Sequence, residues 1–267
     1  MTTVSSLRVT LDTNVCDIIH APDKAPGLVD PICARALRQA IADGKILAFV
    51  AEATLFVECL EFKDKLAYLA VSGTQAPRPS PDPRVIARFR DLGALGVKIL
   101  RAPLLAGEIF VSELNYADDA IFTAAERQIR FGEFTRRYPG RKPIISLGQK
   151  LLDGQRPVPA GRHVRTGPTS THSELPQDWA IAIKREWDSA AKVNQKALRK
   201  QVGHLIGEWC DTLIVGAHYG YGNDLFCTTD EGRSFGADSI LFHGNRSKLK
   251  ESGIDILSPT ELVRKIY

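Results

Sequence analysis

DTLIVGAHYGYGNDLFCTTDEG, residues 211 to 232, is the stretch from which the fold is read. Leu213, Ala217 and Tyr221 recur at every fourth position after Asp211, the spacing of one helix face. Gly220-Tyr221-Gly222-Asn223 then supplies a helix stop, because glycine enters the left-handed conformation at a helix end without steric cost. Asp224 to Thr228 reads as a short strand that runs directly into Thr229-Asp230-Glu231. The helix is expected to open at Asp211 and to set Leu213, Ile214 and Ala217 against a sheet. Helix, tight turn and strand ending in an acid make up half of a repeating α/β unit.

The other half appears on moving outward. LRVTL, Leu7 to Leu11, is β-prone and also ends in an acid, within Asp12-Thr13-Asn14. Pro31 to Asp43 has helical spacing, with Ile32, Ala36, Leu37, Ala40 and Ile41 on one face and a stop at Gly44. Ile46 to Ala51 is a second strand, and Glu52 to Ala70 returns to helical character through Leu55, Cys59, Phe62 and Leu66. Gln75 to Pro83, QAPRPSPDP, cannot continue a helix, since each proline lacks an amide hydrogen and restricts its predecessor. Val85 to Leu92 is then helical and Val97 to Leu100 a strand. Near the other end Ile254 to Leu257 is a last strand, and Ser258-Pro259-Thr260-Glu261 is a capping box with proline at the first helical position. Strands alternating with helices predict an α/β layered fold around a parallel sheet.

Between these parts, Glu113 to Arg130 reads as a helix and Thr135 to Ser173, dense in Gly, Pro, Arg and Ser, as a long loop. Helical pattern resumes from about Gln177 and runs in pieces to His218. The reading is therefore a discontinuous core, residues 1–100 and 203–267, split by a helical and loop insertion over residues 101–202. The chain of 267 residues carries a net charge of +4, but Arg130 to Val202 holds 15 Lys and Arg against 6 Asp and Glu. An acidic core with a basic insertion suits divalent cations in one part and a polyanion in the other. A solvated basic surface is the ordinary explanation of that excess; within it Arg136, Arg137, Arg141 and Lys142 are the candidate phosphate contacts, with a flexible loop that has no partner as the alternative.

Other function classes recede on composition. The five cysteines are scattered without a C-x-x-C pair, so reduced thiols are expected rather than a zinc or redox centre. The opening MTTVSSLRVTLD has no basic segment leading into an apolar run, and Ile46 to Leu60 is too short to span a bilayer. A cytoplasmic protein without a membrane partner is expected.

Acids at the carboxyl ends of parallel strands converge on the crevice where open α/β sheets bind ligands. Asp12 and Asp230 hold such positions, and Asp211 and Glu58 can reach the same rim from helices. Glu52 and Glu61 compete with Glu58, which is preferred because a helical period sets it beside Leu55 and Phe62. Asp118 and Asp119 compete with Asp211, and Glu231 with Asp230. A lone aspartate after a strand is also commonly just a helix cap. Four carboxylates in one crevice repel each other unless a cation neutralises them, and all-oxygen donors favour Mg²⁺ or Mn²⁺.

The order LDTN at Leu11 to Asn14, a helical glutamate in TLFVECL, the stretch from Asp211 to Gly232 and the closing GIDILSPTEL resembles the PIN-domain nucleases. The likeness covers roughly residues 7 to 100 and 205 to 267. It implies a flavodoxin-like three-layer α/β/α sandwich, Mg²⁺ or Mn²⁺ as cofactor and RNA as the commonest substrate. Asp12 then corresponds to the central metal ligand, Glu58, Asp211 and Asp230 to the remaining acids, and Asn14 to an orienting group. A DNA-directed nuclease and a non-catalytic binding module of the same fold are the alternatives. Compact members of that family are about half this length, so the basic insertion is a departure from it.

Overall fold

Val9, Leu11, Phe49, Val50, Ile99 and Phe226 are wholly buried at the centre of a parallel sheet, as expected of strands covered on both faces. The computed structural model describes residues 6–24, 29–55, 82–101, 114–118, 121–140, 142–155, 182–183, 185, 196–233 and 236–267. The strands are β1 (Leu7–Leu11), β2 (Ile46–Ala51), β3 (Lys98–Leu100), β4 (Asn115–Tyr116), β5 (Leu225–Cys227) and β6 (Ile256–Leu257). They form one six-stranded sheet in the order β4-β3-β2-β1-β5-β6, and every pairing is parallel.

The helices are α1 (Thr13–His20), α2 (Pro31–Ala42), α3 (Pro83–Ala94), α4 (Ala124–Arg137), α5 (Lys142–Gln155), α6 (Lys196–Tyr221), the short α7 (Arg246–Glu251) and α8 (Pro259–Ile266). Right-handed crossovers put connections that run from β1 towards β3 on one face, and those that run back through β5 to β6 on the other. A three-layer α/β/α sandwich results. On the first face α1 packs on α2 and α3, and α8 on α2. The Arg38 guanidinium fixes α2 to α3 by bidentate bonds of 2.7 and 2.8 Å to Asp91, which His20 of α1 also reaches at 3.0 Å. On the second face α4 lies against α6 so closely that a Cβ on Gly220 would collide with the Phe131 ring.

Caps and stops account for the element ends. Asp30 and Asp82 accept from the amides of Ile32 and Arg84, each followed by a proline in the first helical turn. The expected capping box at Ser258 and Glu261 is fully formed, and Gly44 and Gly222 take the positive φ values, 67° and 64°, that their role as helix stops requires. Three expectations fail. Glu113 to Arg130 is not one helix: Asn115 and Tyr116 pair with β3, and α4 starts only at the Thr123–Glu126 capping box. Thr135 to Ser173 is not simply a loop, because Lys142–Gln155 is helical. Asp211 does not open a helix; it lies well inside α6.

The chain divides into two compact units, Met1–Cys59 with Pro81–Gly140 and Glu208–Tyr267, and Leu60–Ser80 with Arg141–Gly207. Residues 101–140, assigned to the insertion from sequence, thus fall with the sheet. In the second unit Ile144, Ala182, Ile183, Val202 and Ile206 are buried. Among the described residues no helix is long and apolar enough to cross a membrane.

Candidate functional site

The sheet reverses its direction of winding between β1 and β5, and the residues just past the carboxyl ends of these two neighbours make the site. Leu11 pairs with Cys227, and the Asp12 amide extends the ladder by donating to the Cys227 carbonyl at 3.0 Å. Asp12 and Thr228 therefore stand side by side.

The Asp12 carboxylate is 4% exposed, which sets it apart from a simple surface cap. It does cap α1, with Oδ1 accepting from the Thr13 amide at 2.7 Å. Its Oδ2 accepts from Thr228 Oγ1 at 2.5 Å and from Asn14 Nδ2 at 2.8 Å. Asn14 turns its Oδ1 to the Thr229 amide at 3.0 Å, and Thr228 Oγ1 accepts from the Asp230 amide at 2.8 Å. Asn14 and Thr228 thus bolt the end of β1 to the end of β5. Burial pushes the Asp12 pKa up, the bonds from Thr228, Thr13 and Asn14 pull it back, and the nearby Asp230 charge raises it again.

Asp230 accepts from the Gly232 amide through Oδ1 at 2.7 Å, and its carbonyl accepts from Arg246 at 3.0 Å. A Cβ on Gly232 would lie 2.6 Å from Phe242 Cα and 2.8 Å from Ser239 Oγ, so only glycine admits this approach. Glu231, the alternative to Asp230, is exposed and bonded to Arg233. Asp211 reaches the same place from α6. Asp12, Thr13, Asn14, Asp17, Asp211 and Asp230 line one cleft of about 250 Å³. Asp17 is paired there with Arg88.

The expected residues are therefore brought together in part. Asp12, Asn14, Asp211 and Asp230 meet, while Glu58 and Glu61 lie outside the described residues. Glu52, at the end of β2, is buried and accepts from the Tyr116 hydroxyl at 2.5 Å, with Arg101 at 3.9 Å. Asp118 is exposed beyond β4. Arg136 and Arg137 occupy the last turn of α4 and line a different cavity. Arg141 lies outside the described residues, and Lys142 is described only by its backbone, at the start of α5.

Two contributors had not been singled out from sequence. Thr228 was read only as the end of a strand, yet its hydroxyl is the hub between Asp12 and Asp230. Glu208, three residues before Asp211 and hence on the same helix face, is buried and accepts from the Ile240 amide at 3.2 Å. Burial raises its pKa, the Ser239 hydroxyl and Ile240 amide lower it, and Asp230 and Asp238 raise it further.

Among the described residues no three His, Cys, Asp or Glu side chains are close enough to surround one ion. The acids share a cleft rather than a closed cage, and the donors in it, carboxylates beside a hydroxyl and an amide, are all oxygens of the kind that suits Mg²⁺ or Mn²⁺. Comparison of the chain with protein-family models, with curated proteins and with solved structures finds no match.

Proposed function

We propose that this protein is a PIN-like, Mg²⁺- or Mn²⁺-dependent nuclease that hydrolyses RNA. The observation that carries the reading is the convergence of Asp12, Asp211 and Asp230 on one cleft at the reversal point of the sheet, with Asp12 buried and joined by no cationic side chain among the described residues. A buried carboxylate in that state favours a cation beside it.

Asp12 would hold the ion directly, with Asp211 and Asp230 reaching it through bound water across the cleft they share, and Glu58 the fourth acid that the sequence suggests. A bound divalent ion supplies Lewis acidity at the phosphoryl oxygens and hydroxide from water at neutral pH. The chain's own groups set the stage for it. Both lone pairs of Asp12 Oδ2 are taken by Thr228 and Asn14, whereas among the described residues Oδ1 is bonded only to the Thr13 amide, which leaves it one for a ligand. Asp230 Oδ2 has no hydrogen-bond partner among the described residues and is available to accept from water. The basic composition around residues 130–202 supports a polyanionic substrate, and RNA rests on the resemblance in sequence.

Labelled single-stranded RNA and DNA, incubated with Mn²⁺ or with EDTA, test the proposal. RNA cleavage that needs the metal and is abolished in Asp12→Asn is expected. Thr228→Val, which keeps the shape and removes the hub hydroxyl, is expected to weaken metal binding or rate about 10–100-fold. Cleavage of DNA alone replaces RNA as the substrate; cleavage of neither by folded protein overturns the nuclease reading.

A further inference from the structure

A second cavity, of about 610 Å³, opens between the last turns of α4 and α6, lined by Glu133, Phe134, Arg136, Arg137, Tyr138, Tyr219 and Ser252. None of the acids of the cleft takes part. Tyr219 precedes β5 and Ser252 precedes β6, so both belong to the amino edge of the sheet, opposite the edge from which Asp12 and Asp230 emerge. Along α6, Tyr219 lies about 12 Å beyond Asp211 at the helical rise.

The walls are prearranged. Phe134 packs against Tyr138 at 5.0 Å and Tyr219 at 5.8 Å between ring centroids, both tilted. Arg130 holds the Tyr219 carbonyl with bonds of 2.9 and 2.6 Å and covers its ring at 4.2 Å. Arg137 Nη1 donates to Ser252 Oγ at 2.6 Å, and the Tyr138 hydroxyl lies 3.3 Å from the same oxygen. Arg136 Nε donates to the Gly132 carbonyl at 3.1 Å, while its terminal nitrogens meet no acceptor among the described residues.

Basic side chains in the last turn of a helix ordinarily offset its dipole, and Arg136 does so through Gly132. That accounts for the charges but not for a concave space walled by three rings with two guanidinium groups beside them. We propose that this cavity binds a nucleotide unit, its base stacked on the Tyr138 and Tyr219 side and its phosphate held by Arg136 and Arg137. The volume lies within the range of small-molecule sites, stacking on aromatic rings is how proteins hold unpaired bases, and guanidinium forks match phosphate oxygens. The ligand is either a free mononucleotide or one unit of a single strand. The inference does not rest on the metal-dependent reading, since the two sites share no residue.

The test is titration of adenosine 5′-monophosphate, and separately of an octameric oligoadenylate RNA, into the full chain in EDTA, followed by NMR or calorimetry. Binding is expected in the wild type and unchanged in Asp12→Asn. It should weaken about tenfold or more in Arg136→Ala/Arg137→Ala and in Tyr138→Ala, and survive in Tyr138→Phe, which keeps the ring. Tighter binding of the mononucleotide assigns a free ligand, and tighter binding of the octamer assigns a strand. Affinities indifferent to these substitutions, no binding of either compound at millimolar concentration, or equal binding of inorganic phosphate overturn the proposal. Metal-dependent RNA cleavage that persists in the arginine and tyrosine variants separates its failure from that of the nuclease reading.

Discussion

Where α6 crosses β1, His218 is 1% exposed, its Nδ1 lies 3.0 Å from Thr10 Oγ1, and its ring meets Phe226 edge-on. Burial first, and the Arg130 charge second, depress its pKa from 6.5 to about 3. Because the folded value is the lower one, the unfolded chain takes up a proton that the folded chain refuses. Stability from this source is complete above pH 6.5 and is lost as pH falls towards 3, at up to about 1.4 kcal/mol per pH unit. Urea midpoints of wild type and His218→Gln between pH 7 and about 4.5 are expected to converge as pH falls; parallel slopes would remove His218 as the cause. At this scale the sequence is informative where a position implies a role. Asp12 and Asp230 follow β-prone runs, and acids at strand ends announce a crevice. Thr228 and Glu208 stay hidden because their importance lies in partners more than 30 residues away, at separations of 216 and 32.

Elements are legible where local chemistry and burial agree. β2, α3 and α8 lie where their patterns put them, and α2 differs mainly in its buried face: Ala34 is inside while Ile32 is 68% exposed. The misread elements are those in which a tertiary contact decides. Asn115-Tyr116 has no strand signature of its own and becomes β4 through pairing with β3, and α6 continues through Asp211 although nothing in its polar early turns demands it. The turn at Asp230-Glu231-Gly232 is a case in which backbone conformation and packing both require glycine. Gly232 has a φ of 64°, and any Cβ would press on Phe242 and Ser239. Gly232→Ala is expected to cost about 1–3 kcal/mol in chemical denaturation and to displace Asp230 by disturbing the amide bond to its Oδ1. Unchanged stability and unchanged Mn²⁺ affinity would show that the turn relaxes freely.

On the scale of the whole molecule, a layered α/β fold around a parallel sheet was legible from the alternation of strands and helices, whereas the division into units was not. Composition drew the boundary near residue 100, but β4 forms one edge of the sheet and α4 packs against α6 within the same compact unit. The arginines at the end of α4 accordingly belong with the sheet. If they contact phosphates of a single strand, reversing Arg136 and Arg137 to glutamate should lower the slope of log affinity against log salt by about 1.4, at about 0.7 per contact. Fluorescence anisotropy of labelled RNA in EDTA at several salt concentrations measures this, and an unchanged slope would exclude both side chains from the interface.

The sheet order has a consequence for how this protein is made. β1 is one of the two central strands, yet β5, its neighbour on one side, lies far along the chain, and the Thr228 hydroxyl that secures Asp12 is 216 residues downstream. On a ribosome, at about 5–20 residues per second, β1 waits on the order of ten to forty seconds with that edge open. Throughout that interval Asp12 lacks Thr228 and Asp230, so a nascent chain beside its own messenger has no assembled cleft. If the chain is the proposed nuclease, the order of its strands alone would hold it inactive during synthesis.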